Sequence, residues 1–160
     1  MLPFPPASVL RRRLPRLLGG LGLFGVGIAL MVRADLGLAP WDVLHQGVAD
    51  RTGIPIGQVT ILTGAAVLLL WIPLRERPGL GTLANAVLIG VFIDLTVITI
   101  DTPSRLLLQI ALMIGGVVLV GIGSGLYIGV RLGPGPRDGL MTGLAKRGIS
   151  LRLEIGRAHV

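Results

Sequence analysis

Residues 25–51, GVGIALMVRADLGLAPWDVLHQGVADR, run from an uncharged apolar stretch through a Gly- and Pro-marked break into a mixed segment, and the pattern returns at 121–147 as GIGSGLYIGVRLGPGPRDGLMTGLAKR. A shift of 96 residues, 25 to 121, superposes the skeleton G-x-G-x-x-L followed by L-G-x-x-P-x-D-x-L-x-x-G-x-A-x-R. Gly37 pairs with Gly133, Pro40 with Pro136, Asp42 with Asp138 and Gly47 with Gly143. A chance overlap of small apolar residues would not also align the proline and the acid. Backbone chemistry accounts for the skeleton. Glycine takes the left-handed conformation that closes a helix, and proline cannot continue one. An acid in the next first turn meets free N–H groups there, worth about 0.5–2 kcal/mol over alanine. Each copy is therefore predicted to be a helix–break–helix corner, with Gly37, Pro40, Gly47, Gly133, Pro136 and Gly143 as its structural residues.

The chain around these corners is apolar. Its 160 residues are 52% hydrophobic and 14% charged, with a mean hydropathy of +0.82; soluble domains run at roughly 45–50% and about 25%. Aromatics are only 4% while glycines number 25, the aliphatic and glycine mixture of closely packed transmembrane helices. Four apolar runs, at about 17–32, 59–74, 80–100 and 106–130, approach the ~20 residues that cross ~30 Å of hydrocarbon. The expected fold is all-α: a polytopic transmembrane helix bundle with an internal repeat, in one domain over 1–153. Repeat 1 covers about 14–100 and repeat 2 about 106–153.

The net charge of +7 does not point to nucleic acid, because the basic residues sit between apolar runs without an aromatic-interleaved basic face. They read instead as topology signals. Arg11, Arg12, Arg13 and Arg16 precede the first run, as they would in a signal peptide. No small-x-small cleavage site closes that run, which passes into Val32, Arg33 and Asp35. With the amino terminus in the cytoplasm, those four arginines share a side with Arg75, Arg77, Arg131, Arg137, Lys146, Arg147 and Arg152, eleven in all, against Arg33, Arg51 and Arg105 outside. The positive-inside rule asks for that split, so the chain is read as four spans with its N-terminus in the cytoplasm.

Three spans then separate the corners, the first facing outward and the second inward, which makes the repeat inverted. Trp41 stands in the outer copy where Arg137 stands in the inner one, an interfacial aromatic against a cytoplasmic cation. The second copy lacks later spans, as expected of a chain truncated near Leu153. The last seven residues, EIGRAHV, admit the back-translation GAG ATC GGA AGA GCA CAC GTC, the start of a common short-read sequencing adapter. Residues 154–160 are therefore read as an artefact, and Glu154, Arg157 and His159 carry no functional weight.

Several chemistries are excluded by residue type. The absence of cysteine removes thiol catalysis, disulfides and cysteine-ligated metals. GPGPRDG at 133–139 has neither a G-K-[ST] end nor a preceding strand, so it is no nucleotide loop. His45 and Gln46 are replaced by Met141 and Thr142 in the second copy, so the repeat does not require them, and a lone histidine makes no metal site. No Ser/His/Asp set or carboxylate pair can be assembled, so an enzyme, a metal and a cofactor are not expected. The candidate solute or ion site comprises Asp42, Asp138 and Arg137 at the corners and Asp94 within the third run. A free carboxylate at that depth costs about 2.5–3.5 kcal/mol, so Asp94 needs a partner or a proton. Asn85, nine residues earlier, falls on the opposite helix face.

The segments LGLAPWDVLHQG at 36–47, GQVTIL at 57–62, IGVFIDL at 89–95 and GLYIGVRLGPGPRDGLM at 125–141 resemble the YczE/YyaS/YitT group of bacterial membrane proteins. The likeness covers 13–153 and is most specific at GPGPRDGLM. It implies a multi-pass plasma-membrane protein and supplies no substrate or catalytic residue. The residues themselves favour a small-solute or ion transporter, because Gly/Pro-interrupted segments at equivalent places in two repeats mark the binding region of secondary transporters. The alternative is a non-transporting assembly or regulatory component. Expected partners are the lipid bilayer, an unknown small solute or ion, and a second copy or another membrane protein.

Overall fold

A computed structural model describes residues 7–145. They form six helices and no strand: α1 (Ala7–Ala34), α2 (Pro40–Thr52), α3 (Ile56–Leu70), α4 (Leu80–Val97), α5 (Leu106–Gly129) and α6 (Pro136–Ala145). The chain is an all-α polytopic membrane protein. The expected end of repeat 2 beyond Ala145, and residues 154–160, lie outside the described residues.

α1 starts well before the apolar run at 17–32, because arginine is a good helix former and the exposed Arg11, Arg12 and Arg13 extend the same helix. Its 28 residues make it about 42 Å long, more than the hydrocarbon is thick. The run at 59–74 behaves differently. α3 stops at Leu70 and gives way to turns up to Arg75, which takes φ +50°. At 15 residues it is about 22 Å long, too short to cross alone. It joins α2 in a pair bent by 118° across residues 53–55, where Gly53 at φ +74° donates its N–H to Ala49 O and Pro55 precedes the next helix. Among the described residues, three helices are long and apolar enough to cross a membrane, and the bent pair makes a fourth span if counted as one.

Glycines set the packing. α1 and α5 touch backbone to backbone: a Cβ added at Gly27 would sit 2.7 Å from Gly116 O, and one at Gly123 would sit 2.7 Å from Gly20 O. On the other side of α1, a Cβ at Gly25 would lie 2.8 Å from Ile89 O of α4. Without a hydrophobic drive between helices in lipid, such close approach is what holds them together. Leu17, Leu21, Ile28, Ile89, Ile93 and Tyr127 fill the centre. Large aliphatic residues of α5 face outward instead, Leu107 being 77% exposed, as a lipid-facing helix allows.

Each corner turns in the same way. Asp35 has φ +53° and Arg131 φ +54°; Gly37 has φ +136° and Gly133 φ +127°; and α2 and α6 begin at Pro40 and Pro136. The left-handed residue is therefore not the glycine, as expected, but the residue two before it. Glycine is needed because a φ near +130° is one that a residue with a Cβ rarely adopts.

Candidate functional site

The two corners meet at a cavity of about 450 Å³. Its walls come from Phe24 and Ile28 of α1, Thr60 and Val67 of α3, Asn85 and Ile89 of α4, and Val120, Ser124 and Tyr127 of α5. The first corner adds Trp41, Asp42 and His45, and the second Gly135, Pro136, Arg137 and Asp138. The starts of α2 and α6 therefore both reach this cavity. Arg137 lies over the Trp41 ring, 5.7 Å from its centroid, so the two residues that occupy the same place in each copy touch one another.

The second corner is fixed to its neighbours by hydrogen bonds. Trp71 Nε1 donates to Pro136 O at 3.1 Å, Thr82 Oγ1 to Pro134 O at 2.7 Å, and Gly81 N to Leu132 O at 2.9 Å. Thr82 is fully buried and its hydroxyl also accepts from Gly79 N at 3.2 Å. Gly139 is buried against the Trp71 ring, where an added Cβ would collide.

Neither corner aspartate serves as the expected helix cap. α2 has no side-chain cap hydrogen bond, and Asp42 Oδ1 lies 3.6 Å from His45 Nδ1, three residues on. Residues at that spacing share a helix face, which draws the carboxylate along the helix rather than back over its start. Asp138 Oδ2 accepts from Tyr127 OH at 2.8 Å. Thr60 Oγ1 stands 3.3 Å from His45 Nδ1 and donates to Ile56 O at 2.9 Å. A hydroxyl has one proton, so with that proton on Ile56 O the contact to His45 is made by Nδ1–H. His45 Nε2 is buried with no hydrogen-bond partner among the described residues.

Three of the four predicted site residues, Asp42, Asp138 and Arg137, come together here; Asp94 does not. Its Oδ1 accepts the Gly57 N–H at 2.7 Å, capping the first turn of α3 from α4. Asn85, on the other face of α4, does line the cavity. Of the corner glycines, Gly143 is buried beside Glu76 and Leu74, while Gly47 is exposed and open. Sequence reading set His45 aside and gave Thr60 and Tyr127 no part in the site. The one available signal was the Asp42–His45 spacing, which puts both on one helix face.

Residues 11–159 match the model of a family of unknown function, DUF6198. The chain belongs to that family. An uncharacterized protein of Haemophilus influenzae is 42% identical over 82% of this chain and 60% of its own length. The uncharacterized membrane protein YczE of Bacillus subtilis is 38% identical over 76% of this chain and 58% of its own length. The uncharacterized protein YyaS of the same organism is 30% identical over 76% of this chain and 62% of its own length. The resemblance to YczE and YyaS read from the corner segments thus holds, and the chain spans roughly three fifths of these relatives. No solved structure matches it.

Proposed function

We propose that this chain is part of a secondary transporter of the plasma membrane, with its N-terminus in the cytoplasm, and that the cavity between the corners is its solute site. The observation that carries the proposal is the meeting of Trp41 and Arg137 at 5.7 Å, two repeat-equivalent residues in contact at one cavity. Two broken segments that open on a shared site in the middle of a bundle are the arrangement on which alternating access is built. With α2 and α3 counted as one span, α4 and α5 complete three crossings between the corners, and on that count we read the copies as an inverted pair. No covalent chemistry is assigned to the chain. The test is solute flux into proteoliposomes holding the purified complete protein; a folded preparation silent across amino acids, organic acids, amines and inorganic ions would sink the proposal.

A second reading is supported by α5. Among the described residues, an added Cβ at Gly121, Gly125 or Gly129 meets nothing within 4 Å, whereas Gly25, the repeat equivalent of Gly121, packs on the backbone of α4. A further membrane helix seated on that glycine row would make the chain one component of a larger assembly. Cross-links from cysteines placed at Ile122 and Ile128 would report such a neighbour; their absence in native membranes would leave the row facing lipid.

A further inference from the structure

The cavity's chemistry has two poles. At one, the His45 ring is only 3% exposed, with Nδ1 3.3 Å from Thr60 Oγ1 and 3.6 Å from Asp42 Oδ1. Its Nε2 is buried without a hydrogen-bond partner among the described residues, on a residue that lines the cavity. A buried ring nitrogen calls for a partner, and a cationic N–H placed here would meet both it and the Asp42 carboxylate. At the other pole, the Arg137 guanidinium lies on the face of Trp41 and forms no salt bridge among the described residues. It sits in the first turn of α6, a ten-residue helix, where N–H groups lack intrahelical partners and favour an anion.

Counting charge decides the ligand class. The lining holds the cation Arg137 and the acids Asp42 and Asp138, the latter accepting from the Tyr127 hydroxyl. The starts of α2 and α6 add about half a positive charge each, which brings the total close to zero. A solute of one sign leaves one pole unmatched, whereas a molecule carrying both matches the two. The remaining wall, from Ile28, Val67, Ile89 and Val120, is aliphatic.

We propose that the cavity binds a small zwitterion, an α-amino acid with an aliphatic side chain, with its ammonium toward His45 and Asp42 and its carboxylate toward Arg137 and the start of α6. This deepens the transporter reading and rests on the same site. The experiment is isothermal titration of the full chain in lipid nanodiscs with L-leucine, with isoamylamine, which lacks the carboxylate, and with 4-methylpentanoate, which lacks the ammonium. Leucine is expected to bind at least tenfold more tightly than either half-molecule. His45→Ala and Arg137→Ala should each weaken leucine at least tenfold. His45→Gln, which fills the space and keeps a carbonyl acceptor, should retain part of the affinity and controls for a fold lost in the alanine variant. Absence of heat with leucine, a half-molecule that binds as tightly as leucine, or affinity unchanged in both folded alanine variants would overturn the proposal. Binding is read without flux. Leucine bound but not carried would therefore defeat the transporter reading alone, and another solute carried with no leucine bound would defeat this one alone.

Discussion

The first corner and the second share a backbone and differ in what surrounds it. Both turn through a left-handed residue and a positive-φ glycine before a helix that starts at proline. Around the second corner the neighbours close in: a Cβ at Gly133 would stand 2.6 Å from Thr82 Oγ1, and three hydrogen bonds tie its chain to Trp71, just past α3, and to α4. Around the first, a Cβ at Gly37 or Gly47 meets nothing within 4 Å among the described residues. That copy contributes the buried Asp42 and His45, where the second has Asp138 and Met141. The same backbone turn thus serves once as an anchor clamped into the bundle and once as a carrier of polar groups. Both corners carry the glycine and the proline that the turn requires, while the surroundings of each decide the rest.

The largest expected contrast is one of sides. A cysteine at the exposed Leu36 should react with a membrane-impermeant maleimide in intact cells, and a cysteine at the exposed Arg131 only after lysis. Equal labelling of both in intact cells would place the corners on one face and end the inverted arrangement. Next comes the clamp. Gly133→Ala should lower unfolding stability in micelles by about 3 kcal/mol, from backbone strain together with the Thr82 collision. Gly37→Ala, with strain alone, should cost about 1–2 kcal/mol. Equal losses would mean that Thr82 moves aside freely and that the second corner is no anchor.

A third comparison concerns the two ends of α4. Thr82 ties one end to the second corner, and Asp94 ties the other to the start of α3. Asp94→Ala should cost about 1–2 kcal/mol as a lost cap and leave solute binding at the cavity unchanged. Weakened binding with unchanged stability would return Asp94 to the site. The smallest effect is the contact between the copies. In a double-mutant cycle, Trp41→Ala and Arg137→Ala should couple by about 1 kcal/mol. Exchanging the two, Trp41→Arg with Arg137→Trp, should keep most of that coupling, whereas a coupling of zero would make the pair a coincidence of position.

Much of the frame was legible in the sequence because its causes are local. Aliphatic content required a bilayer, runs of about 20 residues marked the spans, and the Gly–Pro spacing located both corners to the residue at Pro40 and Pro136. Helix boundaries were less legible where composition and geometry part company: the apolar run at 59–74 continues past Leu70, yet the helix ends there and the chain turns.

By itself, then, the sequence determined the class of the protein, the places where its helices break, and the pairing of Trp41 with Arg137 as equivalent positions. Only the tertiary structure decided that those two residues touch, that His45, Thr60, Asn85 and Tyr127 join the same cavity, and that Asp94 caps a helix away from it. The physical reason is rotational. Period and spacing state which residues share one helix face, but which face meets which neighbour depends on how closely the glycines of α1, α3, α4 and α5 let the backbones approach. That is a property of pairs of helices, and no single stretch of chain contains it.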